Sequence, residues 1–171
     1  KPGSENAEKA EALLEEMEER RHQFPQLAPN TLAVNAVLNV WSKSRVWNGS
    51  AGRCEQILER MIKLSKERPE LGPDTTSFNT VIDTLAKSKE RDREQRAEAL
   101  LEKMQELSSS DRSLKCQPDH VSFNAVINCW AQSSFKGAAR RATAILKHMT
   151  KRYEAKTSNV PPDSATYTTA I

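Results

Sequence analysis

A short phrase recurs four times along this chain at nearly constant spacing. Each copy begins with Pro followed by Asn or Asp: PNTLAVNAVLNVWSKS from Pro29, PDTTSFNTVIDTLAKS from Pro73, PDHVSFNAVINCWAQS from Pro118 and PDSATYTTAI from Pro162. The steps between the four prolines are 44, 45 and 44 residues. A fixed period in this range is typical of stacked helical units, none of which can bury its apolar face alone.

The unit that follows Pro73 predicts a pair of helices. Asp74 is a favoured N-cap residue directly after a helix-breaking proline. In the first helix, apolar residues at i, i+3, i+4 and i+7 form one stripe: Phe78, Val81, Ile82 and Leu85. The second helix has its own stripe: Ala97, Leu100, Leu101 and Met104. We expect this second helix to fray into a loop at Ser108.

The same two-helix pattern divides the whole chain. Residues 1–30 hold the second helix of a preceding repeat, 31–74, 75–119 and 120–163 are three complete repeats, and 164–171 begin a further one. The sequence therefore predicts an all-α fold, an α-solenoid of helix-turn-helix repeats. Because the chain begins within one helical pattern and stops early in another, we expect a segment of a longer array.

Composition narrows the class of protein. Five glycines and 5% aromatic residues argue against a β-sandwich or barrel, and no apolar run is long enough to cross a bilayer, so we expect no membrane partner. The net charge of +3 permits a nucleic-acid partner without demanding one. All four methionines occupy one position of the second helices, where we expect core filler. We expect Cys54, Cys116 and Cys129, which lack paired spacing, to be buried or half-buried free thiols in a reducing compartment.

No catalytic or metal-binding constellation is predicted. His22, His120 and His148 are far apart in helical phase, and none sits near a Ser or Cys with a partner. Cys116 and His120 are four residues apart, but two ligands do not complete a tetrahedral zinc site. A glycine-rich phosphate loop is absent from the sequence. We therefore expect no enzyme, no catalytic residue, no metal and no cofactor.

The residues held constant in the copies resemble the pentatricopeptide repeat (PPR) family. The shared elements are Pro-Asp-x-x-(Ser/Thr)-(Phe/Tyr)-Asn-(Thr/Ala)-Val-Ile-(Asp/Asn), then Ala-Lys-Ser, then a helix ending in Ala-(Leu/Ile)-Leu-x-x-Met. The resemblance covers nearly the entire chain and implies a right-handed superhelix of antiparallel helix pairs. The usual family repeat is about 35 residues, and these are about ten longer. Most of the excess follows the second helices: Glu67 to Gly72, Ser108 to Gln117 and Ala155 to Pro161.

By this resemblance, each repeat reads one base of single-stranded RNA with two or three side chains. The implied reading pairs are Asn35 with Asp74, Asn79 with Asp119, and Asn124 with Asp163. Asn offers both a donor and an acceptor to the Watson–Crick edge of a base. Asn/Asp pairs imply a preference for uridine and then cytidine, so the expected ligand is U-rich or pyrimidine-rich RNA. Asn30 and Thr168 are halves of flanking sites whose partners lie outside the chain.

The resemblance assigns two further roles. The base-sandwiching positions are Leu32, Thr76 and Val121. Lys43 and Lys87 resemble the phosphate-contacting lysine of the family, and the third repeat has Gln132 at that place. Contacts from lysine to phosphate give salt-sensitive affinity, whereas the Asn/Asp pairs would give base preference.

Other interpretations of these residues remain open. The three Asp residues can serve as N-caps alone, the three Asn residues can bond across to the adjacent repeat, and the lysines can be ordinary surface residues. The chain can also be a helical-repeat scaffold that binds protein, for which we would expect exposed apolar or aromatic anchors. The resemblance implies organellar RNA metabolism, in a mitochondrion or plastid, with other proteins of a ribonucleoprotein as further partners.

Overall fold

The computed structural model describes residues 4–44, 49–111 and 113–170, and all regular structure in these ranges is helical. Eight α-helices follow in order: α1 (Glu5–Arg20), α2 (Thr31–Lys43), α3 (Ser50–Leu64), α4 (Thr75–Lys87), α5 (Arg93–Ser110), α6 (His120–Ala131), α7 (Ala138–Glu154) and α8 (Ser164–Ala170). Three-residue 3-10 helices follow α1 and α3, at Pro25–Leu27 and Pro69–Leu71. The predicted all-α class is confirmed for this part of the chain.

Each copy of the repeated phrase begins a helix because its Asp or Asn satisfies a backbone N–H that the first turn leaves without a partner. Asp74 Oδ1 accepts the N–H of Ser77 at 2.8 Å, and Ser77 Oγ accepts the N–H of Asp74 at 3.1 Å. This capping box recurs at the start of α6. At the start of α2, Ala33 replaces the serine, and Asn30 caps the helix through a 3.0 Å bond from the N–H of Ala33.

The helices pack in two different ways. Every helix packs against the next one along the chain, and the first helices of the repeats (α2, α4, α6 and α8) also pack directly on one another in that order. The second helices (α1, α3, α5 and α7) do not approach one another as closely within the described ranges. The first helices therefore form one continuous layer, and α3, α5 and α7 each contact the two first helices that flank them.

The apolar stripes form one hydrophobic core that runs through the helices. In α4 the whole predicted stripe is buried: Phe78, Val81, Ile82 and Leu85. Met61, Met104 and Met149 are buried as well, which confirms their predicted role as core filler, and Met17 is half-buried. The stripes predicted from helical periodicity are therefore the surfaces that hold the repeats together.

The three cysteines are free thiols buried in the core, as predicted. Burial raises the pKa of Cys54 to about 12 and that of Cys129 to about 11, because a thiolate is poorly solvated among apolar side chains. Burial also raises the pKa of Cys116. All three thiols are therefore protonated and unreactive at neutral pH.

The segments that lengthen these repeats pack against the core. Leu71 and Leu114 are buried, and Val160 is partly buried against the same cluster. Gly72 lies directly against the equivalent segment of the next repeat, where an added Cβ would come within 2.6 Å of Leu114 Cδ2 and 3.1 Å of the Pro69 carbonyl oxygen. The additional residues therefore extend the stacked structure.

The predicted loop beginning at Ser108 is wrong, because α5 continues to Ser110. The hydroxyls of Ser108 and Ser109 donate to the Gln105 carbonyl oxygen at 3.0 and 2.8 Å. A serine that bonds back to the preceding turn satisfies its hydroxyl without leaving the helix.

The close approach at Gly72 predicts opposite effects for two glycine substitutions. Gly72→Ala should lower the free energy of unfolding by about 1–3 kcal/mol, because the new methyl group overpacks the contact with Leu114. Gly52→Ala in α3 should raise it by about 0.5–1 kcal/mol, since its Cβ has no neighbour closer than 3.8 Å and alanine favours helix. Urea denaturation of both variants tests this; equal effects would contradict the packing at Gly72.

Candidate nucleic-acid interface

The predicted Asn and Asp partners meet between successive first helices. Asn35 of α2 donates through Nδ2 to Oδ1 of Asp74, the N-cap of α4, at 3.1 Å. Asn79 of α4 makes the same bond to Asp119, the N-cap of α6, also at 3.1 Å. Residues 39 and 40 positions apart in the chain are thus hydrogen-bonded in the folded protein.

A serine hydroxyl completes each of these two pairs. Ser77 Oγ lies 2.6 Å from Asn35 Oδ1 and 2.9 Å from Asp74 Oδ1, so its single proton is shared between these two acceptors. Ser122 lies in the same way 2.6 Å from Asn79 Oδ1 and 3.0 Å from Asp119 Oδ1. We call each set of Asn, Asp and Ser a triplet. The sequence analysis did not predict this contact, although a Ser or Thr follows each of the three Asp residues by three positions.

The third set differs from the first two. Thr166 takes the place of the serine, and its Oγ1 lies 2.7 Å from Asp163 Oδ1. The side chain of Asn124 faces Asp163 and helps to lower the pKa of its carboxyl. However, Asn124 Oδ1 is buried and accepts no hydrogen bond within the described ranges. The hydroxyl that holds the amide oxygen in the triplets is therefore not provided here.

Two carboxylates of the interface, Asp119 and Asp163, have lowered pKa values and are ionised at neutral pH. Partial burial alone would raise the pKa of Asp119, but hydrogen bonds from the Ser122 N–H, the Asn79 amide and the Ser122 hydroxyl outweigh it, and the pKa lies below its ordinary value. The hydroxyl and backbone N–H of Thr166 lower the pKa of Asp163. The structure thus places a negative charge between α4 and α6 and another between α6 and α8.

Each triplet also retains unused hydrogen-bonding capacity. Nδ2 of Asn35 and Asn79 has two hydrogens and gives one to Asp, and Oδ2 of Asp74 and Asp119 accepts no bond from the part of the chain that the structure describes. The asparagines and these two aspartates are half-buried, so they are within reach of solvent. A triplet therefore presents one N–H donor beside one anionic acceptor.

The positions assigned to base sandwiching lie three residues before each asparagine and are exposed. Leu32 is 74% and Val121 is 45% accessible, and Thr76 is also exposed. The two residues assigned to flanking sites bond within their own helices. Asn30 caps α2, and Thr168 in α8 donates to the Ser164 carbonyl oxygen at 2.7 Å. Three exposed side chains thus accompany the three asparagines on the same helices.

The assigned lysine positions differ in charge environment. Lys43 is exposed at the end of α2. Lys87 is also exposed, but its Nζ lies 2.6 Å from Asp83 one turn earlier, so this pair is locally neutral. Gln132 donates to Asn128 at 2.9 Å. The first helices therefore present only a small positive charge to a phosphate backbone.

A second row of contacts, which the sequence analysis missed, connects the second helices. Glu98 of α5 accepts bonds from Trp130 Nε1 at 3.1 Å and Arg141 Nε at 2.9 Å. The equivalent set two repeats earlier is Glu11, Trp41 and Arg53. Between them, Glu55 pairs with Arg96. The near-constant spacing of these Glu and Arg residues was a signal, since long side chains can bridge helices that do not pack closely.

Comparison with protein-family models and with curated proteins gives no match to this chain. Within the described residues, no helix is long and apolar enough to cross a membrane. The same residues contain no group of three His, Cys, Asp or Glu side chains placed to hold a metal ion. The interpretation of the interface therefore rests on its own geometry and chemistry.

The lowered pKa of Asp119 predicts how stability depends on pH. Its stabilisation should be fully present above about pH 4, the ordinary value of an Asp carboxyl, and should be lost as the pH falls through the lower folded-state pKa. Asp119→Asn removes this dependence, so the variant should lose less stability than the wild type between about pH 7 and about pH 3. Urea denaturation at both pH values measures the loss. Asp92→Asn, outside the triplets, is the control; equal losses in wild type and Asp119→Asn would contradict the assignment.

Proposed function

We propose that this chain forms an α-solenoid related to the PPR family, and that it binds single-stranded RNA without catalysing a reaction. The first helices pack on one another while the second helices stand further apart. This difference supports a curved array with the first helices on the inner side, in the right-handed form that the family resemblance implies. The triplets would then lie at regular intervals along an inner groove.

The observation that carries the proposal is the donor and acceptor left open on each triplet. The Watson–Crick edge of uracil has an N–H between two carbonyl oxygens. The second hydrogen of Asn79 Nδ2 would donate to one carbonyl oxygen, and Asp119 Oδ2 would accept the base N–H, directly or through a water. With one such pair per repeat, the chain would read about three bases. This chemistry agrees with the pyrimidine preference that the resemblance implies.

The exposed side chains beside the asparagines also support RNA binding. Leu32, Thr76 and Val121 each lie three residues before a reading asparagine, where they would cover the faces of neighbouring bases. Leu32 on α2 and Val121 on α6 have α4, with the polar Thr76, between them, so these two side chains do not form one continuous apolar patch for a protein partner. We therefore favour RNA over the alternative of a protein-binding scaffold.

The location and the wider role of the protein are further parts of the proposal. By the family resemblance, the chain would act in RNA metabolism of a mitochondrion or plastid, together with other proteins of a ribonucleoprotein. U-rich or pyrimidine-rich transcripts would be its targets.

The proposal predicts weak, pyrimidine-selective binding by the chain. Stacking contributes about 1–3 kcal/mol per base, so three bases correspond to a Kd between about millimolar and about micromolar. A 15N-labelled chain titrated with U5, C5 and A5 should show the tightest binding to U5, with the largest shifts at the side-chain amides of Asn35 and Asn79. Equal affinity for the three oligonucleotides would contradict base reading.

Because the first helices carry few lysines, we expect the affinity for RNA to depend only weakly on salt concentration. With Lys43 and Lys87 as the only phosphate contacts, U5 affinity should fall at most about sevenfold between about 50 and about 200 mM salt. Lys43→Gln should reduce this dependence, whereas Lys9→Gln on α1 should leave it unchanged. A much steeper dependence would show that other cations bind the backbone.

Replacement of a reading asparagine predicts a change in preference at one base. By the family resemblance, Asn79→Thr should move the preference of its site from uridine toward guanosine. The U5 affinity should fall about tenfold, which corresponds to about 1.4 kcal/mol, while a pentamer with one central guanosine should lose less. Asn6→Thr on the exposed surface of α1 is the matched control. An unchanged ratio of the two affinities would mean that Asn79 does not read a base.

A further inference from the structure

The serine hydroxyl in each triplet fixes the direction of the asparagine amide. We infer that Ser77 and Ser122 are positioning residues for base selection. At the third site, formed by Asn124 and Asp163, we infer that Thr166 in place of serine leaves the site tolerant of guanosine. This inference deepens the proposed function and rests on it. Its origin is the bond from each serine to the amide oxygen, which no capping role requires.

Two interactions hold each amide in one orientation. Asp119 accepts from Asn79 Nδ2, and Ser122 Oγ lies 2.6 Å from Asn79 Oδ1. A rotation of the amide by half a turn would bring its oxygen against the Asp119 carboxylate and would lose the bond from the hydroxyl. The serine is itself held by the N–H of Asp119, which it accepts at 3.1 Å. The cap of α6 therefore orients a side chain of the preceding repeat.

The direction of the amide decides which base edges fit. In the observed orientation the triplet offers a donor beside an acceptor, which matches the adjacent acceptor and N–H of uracil. A rotated amide would offer two acceptors side by side. Among the four bases, guanine presents two adjacent N–H donors on its Watson–Crick edge. Loss of the serine bond should therefore admit guanosine rather than weaken all bases equally.

The third site provides an internal comparison. Thr166 Oγ1 bonds to Asp163 but leaves the buried Asn124 Oδ1 without a hydrogen bond in the described ranges. An unsatisfied buried acceptor favours any rearrangement that gives it a partner. The two adjacent N–H donors of guanine would supply that partner to a rotated Asn124 amide. We therefore expect this site to accept guanosine in the wild-type chain.

The test compares three variants of the hydroxyl residues beside the asparagines with one control, in two assays. The variants are Ser77→Ala, Ser122→Ala and Thr166→Ser, and the control is Thr84→Val, which removes a hydroxyl that donates to the Thr80 carbonyl oxygen in α4. The first assay is hydrogen exchange of the asparagine side-chain amides without RNA. The second is the ratio of affinities for UGGGU and U5.

Loss of one neutral hydrogen bond corresponds to about a three- to tenfold change. The Asn35 amide should exchange faster by this factor in Ser77→Ala, and the Asn79 amide in Ser122→Ala. Each serine variant should raise the ratio of UGGGU to U5 affinity by the same factor. Thr166→Ser should slow exchange at Asn124 and lower the ratio, and Thr84→Val should change neither.

The outcomes separate this inference from the proposed function. If all three hydroxyl variants still bind RNA with an unchanged affinity ratio, the inference is overturned and the proposed function is not. Equal loss of affinity for both oligonucleotides would also overturn it, since that result indicates a purely structural role. Failure of the wild-type chain to bind either oligonucleotide would overturn the proposed function and the selectivity role together. The exchange rates would then still decide whether the serines hold the amides.

Discussion

The carboxylate that begins α4, and again α6, connects local structure with the packing of one repeat on the next. Asp74 Oδ1 caps its own helix through the N–H of Ser77 and also accepts the amide of Asn35 from the preceding repeat. A cap can be satisfied only at a helix N-terminus, so the cross-repeat bond fixes where one helix lies along the next. Because Asp119 does the same with Asn79, one register is imposed on successive repeats.

The two rows of polar contacts act at different distances. Asn and Asp are short, and they meet only because the first helices pack directly on one another. Glu98 and Arg141 are long, and they connect α5 with α7, two second helices that stand further apart. Short contacts on one side and long contacts on the other would curve the solenoid that we propose. The polar residues therefore contribute to the close packing of the first helices in addition to the apolar core.

The sequence predicted local features better than cross-repeat contacts. The fixed period and the apolar stripe of Phe78 and Leu85 predicted the helix pairs, because helical periodicity is a local property. The loop expected at Ser108 was wrong, since a serine that bonds back to its own helix looks like a loop residue in the sequence. The role of Ser77 and the pairing of Glu98 with Arg141 depend on the stacking register, which a single repeat does not reveal.

The additional length of these repeats does not separate the first helices. The Thr31 hydroxyl donates to the Gly72 carbonyl oxygen at 2.7 Å, and the Thr75 hydroxyl donates to the Gln117 carbonyl oxygen at 2.8 Å. The first two long segments are thus tied to the start of the first helix of their own repeat, and their buried leucines, Leu71 and Leu114, pack in the core. The spacing of the triplets is set by the direct packing of the first helices. It does not depend on the length of the segments that follow the second helices. For the proposed recognition of RNA, a repeat about ten residues longer than the usual one of about 35 is therefore compatible with one base per repeat.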